Sequence, residues 1–164
     1  MKWNGRTSCA VTVAAVLAAT LAMTGCASSG PQKPVYRDMW ASVPAAAAGQ
    51  GRIVFFRPEA RLGGVSGDKV RINDQLVGEV PNGGFFYLDA PAGQYVITTS
   101  SAPDKPLTVD LPQGDTRYVR LQVPFALIAG PLTPSLEREP ARAREALTML
   151  HYVGNRPGAG GKAQ

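Results

Sequence analysis

The sequence has 164 residues, which is enough for about one domain, and its 45 % hydrophobic and 18 % charged residues exclude an intrinsically disordered chain. The 18 glycines and 14 prolines favour a protein of short strands and turns over a helical bundle. The formal net charge of +5 falls to +3 without Lys2 and Arg6, which lie in a segment we expect to be removed. Because the remaining basic residues are scattered along the chain, we expect no nucleic-acid partner.

Residues 1–25 are predicted to be a signal peptide. A short basic start with Lys2 and Arg6 precedes Cys9–Met23, which contains no charged residue. This length suits the apolar region of a signal peptide, which runs about 7–15 residues, and it is too short for a membrane-spanning helix of about twenty. An open alternative is a plain signal peptide that is cleaved elsewhere, with Cys26 incidental.

Leu21–Cys26 resembles the bacterial lipobox, in which a small or aliphatic stretch is followed by Gly or Ala and then Cys. The resemblance implies cleavage between Gly25 and Cys26, a diacylglyceryl thioether on the Cys26 sulfur, and acylation of the new amino group, with palmitate as a typical acyl chain. A cysteine is required because a thiolate is the competent nucleophile. Two or three acyl chains would hold the protein in the bilayer. By analogy with the sorting signal of enteric bacteria, Ala27 favours the outer membrane, with the protein facing the periplasm.

Residues 26–51 are predicted to be the lipidated cysteine and a tether, because the first part is small, polar and interrupted by proline. Tyr36, Met39 and Trp40 nevertheless lie at helical spacing within it. We expect them to pack back onto the domain as a lead-in turn, with a ligand-binding aromatic pair as the alternative.

Residues 52–153 are predicted to form a mainly β domain, a small antiparallel β-sandwich of about seven strands with a short C-terminal helix. The predicted strands are Ile53–Phe56, Lys69–Ile72, Gln75–Val80, Phe85–Leu88, Gln94–Thr99, Leu107–Leu111 and Tyr118–Val123. The first is a continuous apolar run, typical of a central strand, whereas Lys69–Ile72, Leu107–Leu111 and Tyr118–Val123 alternate between apolar and polar residues. The predicted core between the sheets is Phe55 or Phe56 with Val70, Ile72, Tyr95, Ile97, Val109, Val119 and Leu121.

The C-terminal part departs from the strand pattern. Pro124–Pro134 is predicted to be an irregular apolar crossing, because prolines interrupt its apolar residues. Arg142–His151 is predicted to be the helix, with Gly154 as its stop. Residues 154–164 are predicted to be a flexible tail.

Two stretches resemble the PEGA-type surface module, a small β-domain. Val70–Pro81 is similar to the module's pattern Val-x-Ile-Asp-Gly-x-x-x-Gly-x-x-Pro, and Leu88–Ile97 to its pattern Leu-x-x-Pro-x-Gly-x-His-x-Val. The sequence departs from the first pattern at Asp74, where the module usually has glycine.

Together with the lipobox, Gly51–Pro58 and Gly84–Gly93, the chain is similar to the bacterial lipoprotein family called domain of unknown function 2846 over roughly Val35–Leu150. The resemblance implies a location and a fold but no activity. Gly78 and Gly93 are expected where a hairpin needs a small residue or a positive φ.

The sequence offers few residues for catalysis. His151 is the only histidine, and a structural position near a helix C-terminus is favoured over a catalytic one. Cys9 and Cys26 are the only cysteines, and we expect neither to remain as a free thiol in the mature domain. We therefore predict no metal site, no cofactor site and no catalytic residue. The carboxylates that could still meet in space are Glu59, Asp68, Glu79, Asp89, Asp104 and Asp110.

Two function classes follow from these observations. The first is a non-catalytic envelope lipoprotein, anchored in the bilayer through acylated Cys26, that binds an envelope protein or a cell-wall partner through the sandwich or its edge strands. The second is an envelope hydrolase that uses a pair of these carboxylates. A cluster of carboxylates would favour the second class and dispersed carboxylates the first.

Overall fold

The structure is a computed structural model that describes residues 33–60, 67–124 and 130–154. The strands are β1 Gln50–Phe56, β2 Asp68–Ile72, β3 Gln75–Val80, β4 Gly84–Pro91, β5 Gly93–Thr99, β6 Ala102–Leu111, β7 Thr116–Gln122, β8 Thr133–Glu137 and β9 His151–Tyr152. The helices are α1 Tyr36–Met39, a 3-10 turn at Trp40–Ser42, and α2 Pro140–Leu147.

The strands form two sheets, which confirms the predicted sandwich and all seven predicted strands. One sheet has five strands in the order β8-β7-β1-β4-β9, and the other has four in the order β3-β2-β5-β6. Two pairings differ from the antiparallel prediction, because β1 runs parallel to β7 and β4 runs parallel to β9. Between β1 and β7 the chain crosses to the four-stranded sheet and back twice, first through β2 and β3 and then through β5 and β6.

The space between the sheets holds the predicted core. Phe55, rather than Phe56, points into it, and its ring stacks on Phe86 with centroids 4.9 Å apart. Tyr95 is half-buried against this core. The other buried members are Ile53, Val70, Ile72, Val80, Ala90, Ile97, Val109, Leu111, Val119 and Leu121.

A second core lies on the outer face of the five-stranded sheet, under α1 and α2. Phe56 and Phe85 are fully buried there, and Leu147 from α2 and Tyr36 from α1 pack against them. The lead-in turn predicted from aromatic spacing is therefore confirmed. Since both faces of β1 are covered, its side chains from Gly51 to Phe56 are all buried, as its continuous apolar run predicts.

Three local features test the turn predictions. Asn73 and Asp74 both have positive φ, 47° and 65°, so Asp74 adopts the conformation for which the PEGA-type pattern uses glycine. At Gly78 a Cβ atom would lie 2.7 Å from the Phe86 ring, so a small residue is required. The expectation for Gly93 is wrong, because its φ is not positive and nothing lies within 4 Å of an added Cβ.

The C-terminal part contains two strands, β8 and β9, that were not predicted from the sequence. Thr133–Glu137 is strand β8 paired with β7, so the end of the predicted irregular crossing is an edge strand. Residues 125–129 of that crossing lie outside the described residues. The helix begins at Pro140 and ends at Leu147, which places His151 beyond it in β9. The prediction that His151 lies in the helix is therefore wrong.

Candidate functional site

The most polar feature of the buried outer face is an ion pair between β1 and β4. Arg52 and Asp89 are cross-strand partners in the register of these two strands. Arg52 Nε donates to Asp89 Oδ1 at 2.6 Å and Nη2 donates to Oδ2 at 2.8 Å, a bidentate arrangement. The Arg52 side chain is 8 % exposed and that of Asp89 is 27 % exposed.

Two aromatic rings, those of Tyr87 and Trp40, cover the Arg52 guanidinium. Trp40 belongs to the lead-in segment, which we define as Lys33–Ser42. The Arg52 Cζ atom lies 4.6 Å from the centroid of Tyr87 and 5.6 Å from that of Trp40. Arg52 Nη2 also donates to the Pro44 carbonyl at 2.7 Å. The hydrogen bond to Asp89 raises the pKa of Arg52 above its usual value, against the effect of burial. Arg52 therefore joins the sheet to the lead-in segment and the residues that follow it.

Tyr36 occupies the centre of this face. Its ring stacks on Trp40 with centroids 4.7 Å apart and meets Phe85 edge-on at 5.4 Å. Burial raises the pKa of the Tyr36 hydroxyl well above its usual value, the neighbouring Tyr118 adds to this effect, and Arg144 opposes it. Tyr36 thus acts as an apolar filler with a neutral hydroxyl.

A second buried polar cluster lies at the opposite end of β1. Asp68 is 8 % exposed and accepts a hydrogen bond from the Ser101 hydroxyl, whose oxygen accepts from the Leu132 amide at 2.8 Å. Thr99 Oγ1 donates to the Leu132 carbonyl at 2.5 Å. Arg57 is 6 % exposed, and burial lowers its pKa while Asp68 opposes that shift. These contacts hold the start of β8 against the β5–β6 connection.

The six carboxylates named from the sequence do not gather at one site. Asp89 pairs with Arg52, Asp68 with Ser101, and Asp110 accepts from Gln94 Nε2 at 3.2 Å. The other three, Glu59, Glu79 and Asp104, are exposed. Of the six, Asp68 is the one that is buried. Within residues 33–60, 67–124 and 130–154, no group of three or more His, Cys, Asp or Glu could hold a metal ion.

His151 is exposed and lies next to the lead-in segment. Its Nδ1 atom is 3.2 Å from the Lys33 carbonyl oxygen, and its backbone bridges Val35. The predicted cleavage and lipidation residues, Gly25 and Cys26, lie outside the described residues. In the part of the chain that the structure describes, no helix is long and apolar enough to cross a membrane.

Sequence reasoning missed the two buried arginines. Arg52 and Arg57 flank the apolar run of β1, and this flanking position is the only sequence signal for them. Their partners could not be named, because Asp89 is 37 positions away and the strand register was unknown.

Comparisons with known proteins assign no activity to the chain. The profile of the family described as Protein of unknown function (DUF2846) matches residues 47–131. No curated protein matches the chain. A solved structure of the N-terminal domain of AlgF from P. aeruginosa is similar, with 22 % identity, 58 % of this chain and 99 % of that domain covered, and a TM-score of 0.37.

Proposed function

The chain belongs to the DUF2846 family, whose description assigns no activity, and we propose that it is a lipid-anchored protein of the bacterial envelope that binds another envelope protein and is not an enzyme. The proposal has two parts, the anchor and the mode of action, and a different observation supports each. The anchor is supported by the sequence around Cys26. The mode of action is supported by the arrangement of the ionisable side chains.

That arrangement carries the non-catalytic part of the proposal. General acid–base catalysis needs an ionisable side chain within hydrogen-bond reach of the proton that it transfers. In the described residues, His151 contacts the lead-in segment, Asp89 is held by Arg52, and Asp68 is held by Ser101. These contacts tie segments of the fold together, and they favour a structural use of the groups over a reactive one.

The anchor follows from the length and order of the N-terminal segments. The apolar stretch Cys9–Met23 is short for a membrane span, and Cys26 follows it in a lipobox-like setting. We propose that the mature protein starts at acylated Cys26 and is held in the outer membrane, facing the periplasm. Each buried CH₂ of an acyl chain contributes about 0.8 kcal/mol, so two or three chains bind far more firmly than one.

The anchor is tested by changing each cysteine separately. Cys26→Ala should abolish incorporation of labelled palmitate and leave an uncleaved or soluble form, whereas Cys9→Ala should still be lipidated and membrane-bound. Palmitate labelling, mass spectrometry of the processed chain and membrane fractionation read out both variants. Palmitate incorporation into Cys26→Ala at the wild-type level would contradict the proposal.

The mode of action is tested by complementation of a deletion strain. His151→Ala, and a second variant with Glu59→Gln, should both restore the wild-type phenotype, because these two side chains are exposed, lie outside the four-stranded sheet and take part in no reaction under the proposal. Cys26→Ala should fail, since the domain would be mislocalised. A folded, lipidated His151 or carboxylate variant that does not complement would contradict the non-catalytic proposal and favour a hydrolase.

A further inference from the structure

The lead-in segment lies beside the C-terminal end of the described domain. The Tyr36 amide donates to the Leu150 carbonyl at 2.9 Å, and the Tyr152 amide donates to the Pro34 carbonyl at 2.8 Å. The two segments run antiparallel, with Val35 opposite His151. Four exposed side chains consequently share one surface, which we name the N-terminal face: Lys33, Arg37, Met149 and His151.

Met149 is the apolar centre of the N-terminal face. It is 60 % exposed, and among the described residues only Val96, at 41 %, is another exposed large hydrophobic side chain. Arg37 Nη1 donates to the Met149 sulfur at 3.5 Å, and Arg37 also pairs with Asp38 at 3.2 Å. An exposed apolar side chain next to long cationic ones suits a membrane interface, where the apolar part enters the headgroup region and the cations reach phosphates.

The length of chain between the lipidated cysteine and the domain restricts where this face can be. Seven peptide units join Cys26 to Lys33, so their fully extended length is about 25 Å. The acyl chains would thus hold the N-terminal face within about 25 Å of the phospholipid headgroups, while Val96 lies on the outer face of the other, four-stranded sheet.

We propose that the N-terminal face rests on the phospholipid surface that holds acylated Cys26, with Met149 in the headgroup region and with Lys33 and Arg37 at lipid phosphates. This inference relies on the proposed lipidation and adds an orientation to it. The four-stranded sheet then faces away from the bilayer. Its outer face is the part of the molecule presented to partners in the periplasm.

The orientation can be measured with a single label, because the mature chain has no cysteine other than Cys26, which is blocked by the lipid. Lipidated Met149→Cys and Val96→Cys are labelled with a polarity-sensitive fluorophore and reconstituted in vesicles of phosphatidylcholine and phosphatidylglycerol. The label at residue 149 should show a blue shift and protection from aqueous iodide. The label at residue 96 should show neither change. Circular dichroism of both variants checks the fold.

The outcomes separate the inference from the proposed function. A mass without acyl chains on Cys26 would refute the lipidation itself. A correctly lipidated protein whose labels at residues 149 and 96 respond equally would refute the orientation while leaving the lipidation intact. Protection at residue 96 alone would mean that the four-stranded sheet faces the bilayer, which also refutes the orientation.

A charge variant tests the phosphate contacts. Since each lysine near an anionic surface contributes about a five-fold effect on binding, Lys33→Glu should reduce protection of the label at residue 149 in phosphatidylglycerol vesicles. Lys69→Glu is the matched control, because Lys69 is an exposed lysine on the four-stranded sheet. Equal effects of the two variants would contradict a specific contact of Lys33 with phosphates.

Discussion

The outer faces of the two sheets differ in almost every property. On the five-stranded sheet, Phe56 and Phe85 are fully buried under the helices, and even Arg52 is 7 % exposed. On the four-stranded sheet, most outward side chains are polar and exposed, and Val96 is an exposed apolar one. The polar ones include Lys69, Glu79, Gln94, Thr108 and Asp110.

The difference shows how the covering of a sheet's outer face determines the pattern of apolar residues in its strands. A strand with two covered faces needs apolar residues at consecutive positions, whereas a strand with one open face needs them only at alternate positions. β1 has four consecutive apolar residues from Ile53 to Phe56, and β2 alternates. The stability of the domain should therefore depend on the outer face of one sheet and be almost insensitive to that of the other.

The largest expected effect is at the second core. Phe56→Ala removes a fully buried ring and should lower the free energy of unfolding by about 3–5 kcal/mol. Thr108→Ala, on the open face, should change it by less than about 0.5 kcal/mol. Urea unfolding followed by circular dichroism measures both variants, and similar losses would contradict the contrast between the faces.

The next effect concerns the buried ion pair. Arg52→Ala removes three hydrogen bonds and the contacts with Tyr87 and Trp40. It should lower the free energy of unfolding by about 2–4 kcal/mol. The loss is smaller than for a fully buried ion pair because the Asp89 side chain is 27 % exposed.

The control for Arg52 is Asp110→Ala, which removes a hydrogen bond on the exposed face and should cost less than about 0.5 kcal/mol. The same urea measurement applies. A loss below 1 kcal/mol for Arg52→Ala would mean that the pair contributes no more than a surface salt bridge does.

A smaller effect is expected at Gly78 of β3, which packs against the Phe86 ring of the other sheet. Gly78→Ala places a methyl group 2.7 Å from the Phe86 ring and should cost about 1–3 kcal/mol through overpacking. Gly93→Ala meets no neighbour and has no positive φ, so it should be neutral or stabilising by up to about 1 kcal/mol. Thermal unfolding of the two variants distinguishes them, and an equal change in both would contradict the packing argument.

The smallest effect appears only at alkaline pH. The raised pKa of Tyr36 means that the unfolded chain loses this proton near pH 10 while the folded chain keeps it. Its contribution to stability is thus fully present below pH 10 and is lost as the pH rises further. In unfolding measured from pH 8 to pH 11.5, Tyr36→Phe should lose less stability than the wild type. A parallel decline of both proteins would rule out this linkage.

The fold was largely predictable because its strands carry local signals. Five of the seven predicted strands have an apolar run or an alternation, and Asn73-Asp74 marks the β2–β3 turn. β9 has only two residues, too few for any periodicity. The parallel pairing of β1 with β7 was also not predictable, because the sequence of neither strand indicates which distant strand it pairs with.

The polar clusters were less predictable for a related reason. Arg52 and Asp89 are ordinary surface-type residues in the sequence, and they become a buried pair only through the register of β1 against β4. Asp68 is buried and accepts from Ser101, whose hydroxyl oxygen accepts from the Leu132 amide, and both residues come from distant parts of the chain. Such groups acquire their environment from tertiary structure, so composition and spacing do not identify them.

The contact between the lead-in segment and β9 has a consequence for folding kinetics. His151 and Lys33 are in contact although they are 118 positions apart. Contacts of such high sequence separation slow folding, because a large loop must close before they form. During synthesis or export, the lead-in segment emerges long before β9 and has no β9 to pair with. We therefore expect Tyr36 and Trp40 to be among the last aromatic side chains to become buried.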